Sequence, residues 1–209
     1  DEVEIGDTIC TSDQVKALPR ISVDEPTLSM IFSSNTSPFS GQEGKFVQGA
    51  KIGERLFKET LTNVSIQVEK LGDESFIVKG RGELQLAILI ENMRREGFEL
   101  CVSRPKIIFK EQNGKKLEPI EHIFIDCPEE VMGTVTERLS SRKAILTKVK
   151  NEAGSRIRLE FFAPSRSLIG FMNKFLTETK GEGIISSYLH GYEEYKGDIK
   201  ERTTGSLIA

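Results

Sequence analysis

Two stretches of this 209-residue chain carry the same alternation of strand and helix periodicity, and that duplication limits the fold more than any other feature. One runs from Thr27 to Val102, the other from Glu118 to Tyr195; each reads strand, helix, strand, strand, helix, strand. In the first, Leu28, Met30 and Phe32 alternate with Ser29, Ile31 and Ser33, the period of a half-buried strand. A polar loop, Ser33 to Gly44, leads to a helix expected over 45–61, with Ile52, Leu56 and Phe57 on one face. Strands follow around Val64–Val68 and Phe76–Val78. A helix over 83–96 then sets Leu86, Ile90 and Met93 at helical spacing, with Glu83 at its positive end and Arg94-Arg95 at its negative end. Gly97 is placed to end it in the left-handed conformation.

In the second stretch Ile120, His122, Phe124 and Asp126 face one way, and Ile123 and Ile125 the other. Pro128 and Pro164 each sit where a first helical turn tolerates proline. Val131, Val135 and Leu139 give the first helix a core face; Leu168, Ile169, Met172, Phe175 and Leu176 give the second a continuous stripe. A hairpin is expected around Asn151-Glu152-Ala153-Gly154. Two βαββαβ units of this size imply an α+β fold, two tandem ferredoxin-like sandwiches over 26–104 and 118–198. Residues 105–117 read as a linker with a polar centre, Gln112 to Lys116. Residues 1–25, with Val3, Ile5 and Ile9 around Gly6-Asp7 and a break at Leu18-Pro19, read as the end of a preceding β domain.

Composition excludes little but bounds the chemistry. Hydrophobic residues make up 37% and charged residues 29%, ordinary for soluble globular protein. No run approaches a membrane span, and no basic leader opens the chain. Cys10, Cys101 and Cys127 read as three reduced thiols without metal-ligand spacing, and His122 and His190 supply no partners for a zinc site. Gly44-Lys45 to Gly49-Ala50-Lys51-Ile52 misses the phosphate-cradling GxxxxGK[ST] pattern, because the lysine falls one place late and Ile52 replaces the hydroxyl. The turn Gly80-Arg81-Gly82-Glu83 offers at most a weak anion contact at a helix start. Glu129-Glu130 and Glu193-Glu194 are adjacent in sequence rather than set across a cleft. No catalytic centre, metal or cofactor is expected on the chain.

The charge is uneven. Net charge is −3, yet Arg138, Arg142, Lys143, Lys148, Lys150, Arg156 and Arg158 crowd between Glu137 and Arg158, against Glu137 and Glu152 alone. Such a patch fits phosphate contact, and equally the solvated face of a strand pair.

The stretch Gly80-Arg81-Gly82-Glu83-Leu84 through Glu91-Asn92-Met93-Arg94-Arg95-Glu96-Gly97-Phe98-Glu99-Leu100 resembles the C-terminal portion of the BipA/TypA family, translational GTPases of the elongation factor G class. Ser37-Pro38-Phe39 with Gly41 and Glu43-Gly44-Lys45, Ser103-Arg104-Pro105-Lys106, and Pro164-Ser165-Arg166 with Leu168-Ile169-Gly170-Phe171 agree with it. Ser167 and Gln85 depart from the family pattern, which has glycine and commonly histidine there. The resemblance implies that residues 1–25 end a β-barrel domain. The two sandwiches correspond to the elongation-factor third and fifth domain types, and 199–209 opens a family-specific C-terminal domain. GTP and Mg would belong to a G domain outside this chain.

It further implies a cytoplasmic, ribosome-associated, monomeric protein with no membrane contact, whose partners are rRNA, ribosomal proteins and its own G and C-terminal domains. On that reading Arg138, Arg142, Lys143, Lys148 and Lys150, then Arg166 and Lys174, are the RNA-binding candidates. Ser37, Phe39, Gly41 and Lys45 mark an interdomain or ribosome-contact loop. The alternative is a ferredoxin-like regulatory or protein–protein interaction module without RNA binding.

Overall fold

The computed structural model describes residues 5, 7–11, 16–19, 25–152 and 154–199. The expected barrel tail lies largely outside these residues, as do nearly all of 199–209 and Ala153 of the expected hairpin turn. Two compact units divide the chain, Asp1–Lys106 and Ile107–Ala209.

In the first unit the order is β1 (Leu28–Ser34), α1 (Gly49–Thr60), β2 (Gln67–Lys70), β3 (Ser75–Gly80), α2 (Glu83–Arg95) and β4 (Leu100–Val102). The strands lie side by side as β2-β3-β1-β4, all antiparallel where paired, the arrangement of a ferredoxin-like sandwich. Leu28, Met30 and Phe32 of β1 and Phe76 and Val78 of β3 turn inward against Ile52 and Leu56 of α1 and Leu86, Leu89 and Met93 of α2. Each such side chain stabilises the unit by about 1.5–3 kcal/mol over its exposed state. Two expectations shift here: Leu89 rather than Ile90 is buried, and Phe57 is half exposed. Gly53 lets α1 ride on the ring of Phe76, since a Cβ there would stand 2.4 Å from Phe76 Cζ.

A two-residue strand β5 (Lys106–Ile107) marks the boundary of the units. The second unit runs β6 (Lys110–Gln112), β7 (Lys115–Pro128), α3 (Met132–Ser141), β8 (Ile145–Glu152), β9 (Arg156–Pro164), α4 (Phe171–Glu178) and β10 (Ile184–Glu194). Its sheet order, β10-β7-β9-β8, repeats that of the first unit, with β6 added on β7 as a hairpin partner. The segment expected as a linker is therefore partly sheet. Ile123, Ile125, Leu159 and Phe161 pack against Val135, Leu139, Phe171 and Phe175. The continuous stripe expected after Pro164 is broken: Ser165–Ser167 form a single 3-10 turn, and Gly170 at φ +66° restarts the chain as α4.

Helix ends repeat one device with different residues. After α2, Phe98 N–H donates to Met93 C=O and Gly97 N–H to Arg94 C=O, with Gly97 at φ +90°. After α3 the same pair runs from Ala144 to Leu139 and Lys143 to Ser140, with Lys143 at φ +72°. After α4 it runs from Gly181 to Leu176 and Lys180 to Thr177, with Lys180 at φ +52°. Glycine takes the left-handed position without penalty, whereas lysine does not. Among the described residues no helix is long and apolar enough to cross a membrane.

Candidate nucleic-acid interface

The helices cover one face of the second sheet, and strand alternation sends every other side chain to the opposite, open face. From β7 these are His122, Phe124 and Asp126; from β9, Arg158, Glu160 and Phe162; from β8, Lys148 and Lys150; from β10, Ser186 and Tyr188. Register aligns them in rows across the sheet. One row is Ile145, Phe162, His122 and Tyr188; the next is Lys148, Glu160, Phe124 and Ser186; the third is Lys150, Arg158, Asp126 and Ile184.

A cluster of rings occupies the first two rows. The His122 imidazole stacks on Phe162 with centroids 4.4 Å apart and planes at 22°. It lies 4.3 Å from Phe124 and 5.2 Å from Tyr188. Phe124 and Tyr188 lie 5.9 Å apart at 25°. Between Leu189 and Gly191 the register shifts, so His190 is the extra residue of a bulge, and its ring falls 4.7 Å from Phe162. Bulges re-aim side chains in this way. His122 Nδ1 and the Tyr188 hydroxyl are 2.7 Å apart, while His122 Nε2 is buried without a hydrogen-bond partner, 3.7 Å from a Glu160 oxygen.

The cations Lys148, Lys150, Arg156 and Arg158 stand beside the carboxylates Asp126, Glu152 and Glu160. Arg156 is held by Asp126 and by the Glu182 carbonyl. The lysine pairs are looser, Lys148 to Glu160 at 3.4 Å and Lys150 to Glu152 at 3.3 Å, with each lysine side chain 62% exposed. Exposed pairs at such distances contribute little and exchange partners readily.

The remaining candidates are dispersed, and several are committed internally. Arg138 of α3 pairs with Glu178 of α4. Arg142 donates to the carbonyls of Ser167 at 2.6 Å and Ile169 at 2.9 Å, and the Ser167 hydroxyl donates back to the Arg142 carbonyl at 2.6 Å. Ser167 thus locks α3 to the turn before α4. Arg166 makes a two-pronged pair with Glu118, Nε at 2.6 Å and Nη2 at 3.0 Å, and caps the Gly197 carbonyl. Glu118 is wholly buried and also accepts Lys196 N–H. Burial opposes the Arg166 charge, but Glu118 outweighs it and raises the guanidinium pKa. Lys143 and Lys174 are exposed, with no ion pair among the described residues.

In the first unit the expected contact loop is organised by a residue that sequence reading passed over. The Glu99 carboxylate accepts the Asn35 side-chain amide at 2.7 Å and the backbone N–H groups of Gly41, Glu43 and Gly44 at 3.0–3.1 Å. The Asn35 amide, then the Gly41 N–H, hold its pKa below the usual carboxylate range. Ser37 N–H donates to Asn35 Oδ1, Lys45 N–H to the Gly97 carbonyl, and the Phe39 ring is largely exposed. Gln85 accepts Arg81 N–H and donates to Ser65 Oγ. Cys10 and Cys101 are exposed free thiols; Cys127 is buried, and its burial raises its pKa. Among the described residues no cluster of His, Cys, Asp or Glu is arranged to hold a metal ion.

Residues 115–203 match the family described as elongation factor G C-terminus. The whole chain is 49% identical to the large ribosomal subunit assembly factor BipA of Escherichia coli (strain K12), covering 35% of that protein. It is 49% identical to that of Salmonella typhimurium (35% covered) and 50% identical to that of Haemophilus influenzae (34% covered), again over all of this chain. The chain spans about a third of the length of these curated relatives. Along its whole length the chain thus corresponds to the C-terminal part of BipA, and its residues 115–203 match the elongation factor G C-terminus.

Proposed function

We propose that this chain is the ribosome-docking portion of a BipA-like translational GTPase, and that it holds rRNA through its second unit. The observation that carries this reading is the exposed lysine pair Lys148 and Lys150 on an edge strand. Their loose carboxylate partners can be exchanged for phosphate oxygens. Phosphate contact needs clustered cations rather than an overall basic protein, so a net charge of −3 is no obstacle. Lys143 and Lys174 are further contact points on the helix layer. The left-handed lysine at 143 supports a role for its charge, because glycine would fit that backbone better.

Arg138, Arg142 and Arg166 serve the fold first in this reading. Ser37, Phe39, Gly41 and Lys45 form a protein-facing loop, toward a G domain or a ribosomal protein, with GTP and Mg bound elsewhere in the parent. The cytoplasmic large ribosomal subunit is the partner that the relatives' name points to. Co-sedimentation of the chain with purified ribosomal particles through a sucrose cushion tests this. Binding that weakens steeply with salt is expected; absence of binding at low salt would overturn it.

A further inference from the structure

We propose that the open face of the second sheet is a stacking platform for unpaired RNA bases, an inference that rests on the docking reading above and gives it a ligand chemistry. A sheet face needed only for solubility would carry polar or charged side chains throughout. This one instead carries Phe124, Phe162, His122, Tyr188 and His190 as a single ring cluster, with neighbouring centroids 4.3–5.9 Å apart. Tyr188 is 54% exposed, so its ring is presented to solvent rather than sealed in the cluster. His122 stacks on Phe162 and Phe124 on Tyr188, and the exposed Tyr188 and His190 rings lie at the rim of this stack, where any base can continue it.

Two features favour a nucleic acid over a protein as occupant. The exposed rings, Tyr188 and His190, carry a phenol hydroxyl and imidazole nitrogens, hydrogen-bonding edges that a base can meet. The lysines of β8 run along the border of the same face, two strands from Phe124 and about 10 Å away at the usual strand spacing, where a sugar–phosphate chain would pass. Arg158, exposed in the third row, extends that border. A duplex would meet the lysines but could not lay its paired bases on the rings, so the occupant is single-stranded or looped RNA.

The test compares the 209-residue chain with Tyr188→Ala, Tyr188→Phe and His190→Ala. Each is titrated against a labelled oligoadenylate of about ten nucleotides, the span of a typical single-strand site, and against duplex RNA of equal length. The same variants are sedimented with ribosomal particles, and melting curves establish that each is folded. Expected are a preference for the single strand, about tenfold weaker single-strand binding by Tyr188→Ala, and retention by Tyr188→Phe. Duplex binding should not change. His190→Ala, on a bulge that no ladder pairing depends on, gives a smaller loss and serves if Tyr188→Ala fails to fold. Equal binding of single strand and duplex, or single-strand binding untouched by both alanine variants, would overturn the platform. If oligoadenylate does not bind but particles still sediment with the chain, the platform fails and the docking reading stands, with a ribosomal protein as occupant of the face. If neither binds, both fail.

Discussion

The two units share strand order and helix placement, yet their open sheet faces are unlike. On the first, β1 and β3 present Ser29, Ile31 and Ser33 opposite Lys79, Ile77 and Ser75, and the aromatic residues Phe32 and Phe76 point inward. On the second, the corresponding strands β7 and β9 present His122, Phe124, Phe162 and Glu160. Backbone topology is therefore neutral about function, as expected of a fold with many uses. What differs is the chemistry placed on the face that the core does not need. The second unit also ends its helices on left-handed lysines where the first uses Gly97.

The largest effect should separate the units by stability. Arg166→Ala leaves Glu118 charged, buried and unpaired, a loss of about 3–5 kcal/mol. Calorimetry should show the transition of the second unit falling steeply while that of the first stays in place. Movement of both together would mean that the units unfold as one. Gly53→Ala makes the reciprocal test, costing about 1–3 kcal/mol as α1 is forced off Phe76, with the transition of the first unit moving instead. Exchanging the helix-end residues is smaller: Lys143→Gly should stabilise the second unit by about 1 kcal/mol, and Gly97→Ala should destabilise the first by a similar amount, read as opposite shifts in denaturant midpoint.

The smallest effect is local. Glu99 has a folded pKa below its unfolded value, so its hold on the loop is complete above the ordinary carboxylate range and is lost as pH falls through the depressed folded pKa. Hydrogen exchange at Gly41, Glu43 and Gly44 should stay slow from neutral to mildly acid pH. Glu99→Gln should speed it at all pH values, with the second unit unchanged.

Much of this architecture was legible in the sequence. Alternation at 28–33 and 120–126 is local, set by which side of a strand must meet the core, and it places the sheets and the inward residues directly. Leu89 replaced Ile90 because the face of α2 that meets the sheet is chosen by packing, not by spacing alone. The break at Gly170 was hidden within an apolar run that fits one helix or two. At the site, the charges of Lys148 and Lys150 were legible, but not the face they share with His122, Phe124 and Tyr188. That face depends on register between strands far apart in sequence, and at His190 on a bulge. Arg166 with Glu118, Arg142 with Ser167, and Glu99 with Gly41 are likewise distant partners. A basic residue read without its partner cannot be sorted into fold or surface.

The central claim is that the open sheet face, more than the helix layer, carries the contact with the ribosome. Two paired reversals test it in one sedimentation experiment, Lys148→Glu with Lys150→Glu on the sheet and Lys143→Glu with Lys174→Glu on the helix side. The sheet pair should weaken binding to ribosomal particles more, and should reduce the slope of log affinity against log salt by about 1.5, the share of roughly two phosphate contacts. A sheet pair that binds like the unaltered chain, with the helix pair losing affinity, would contradict the claim.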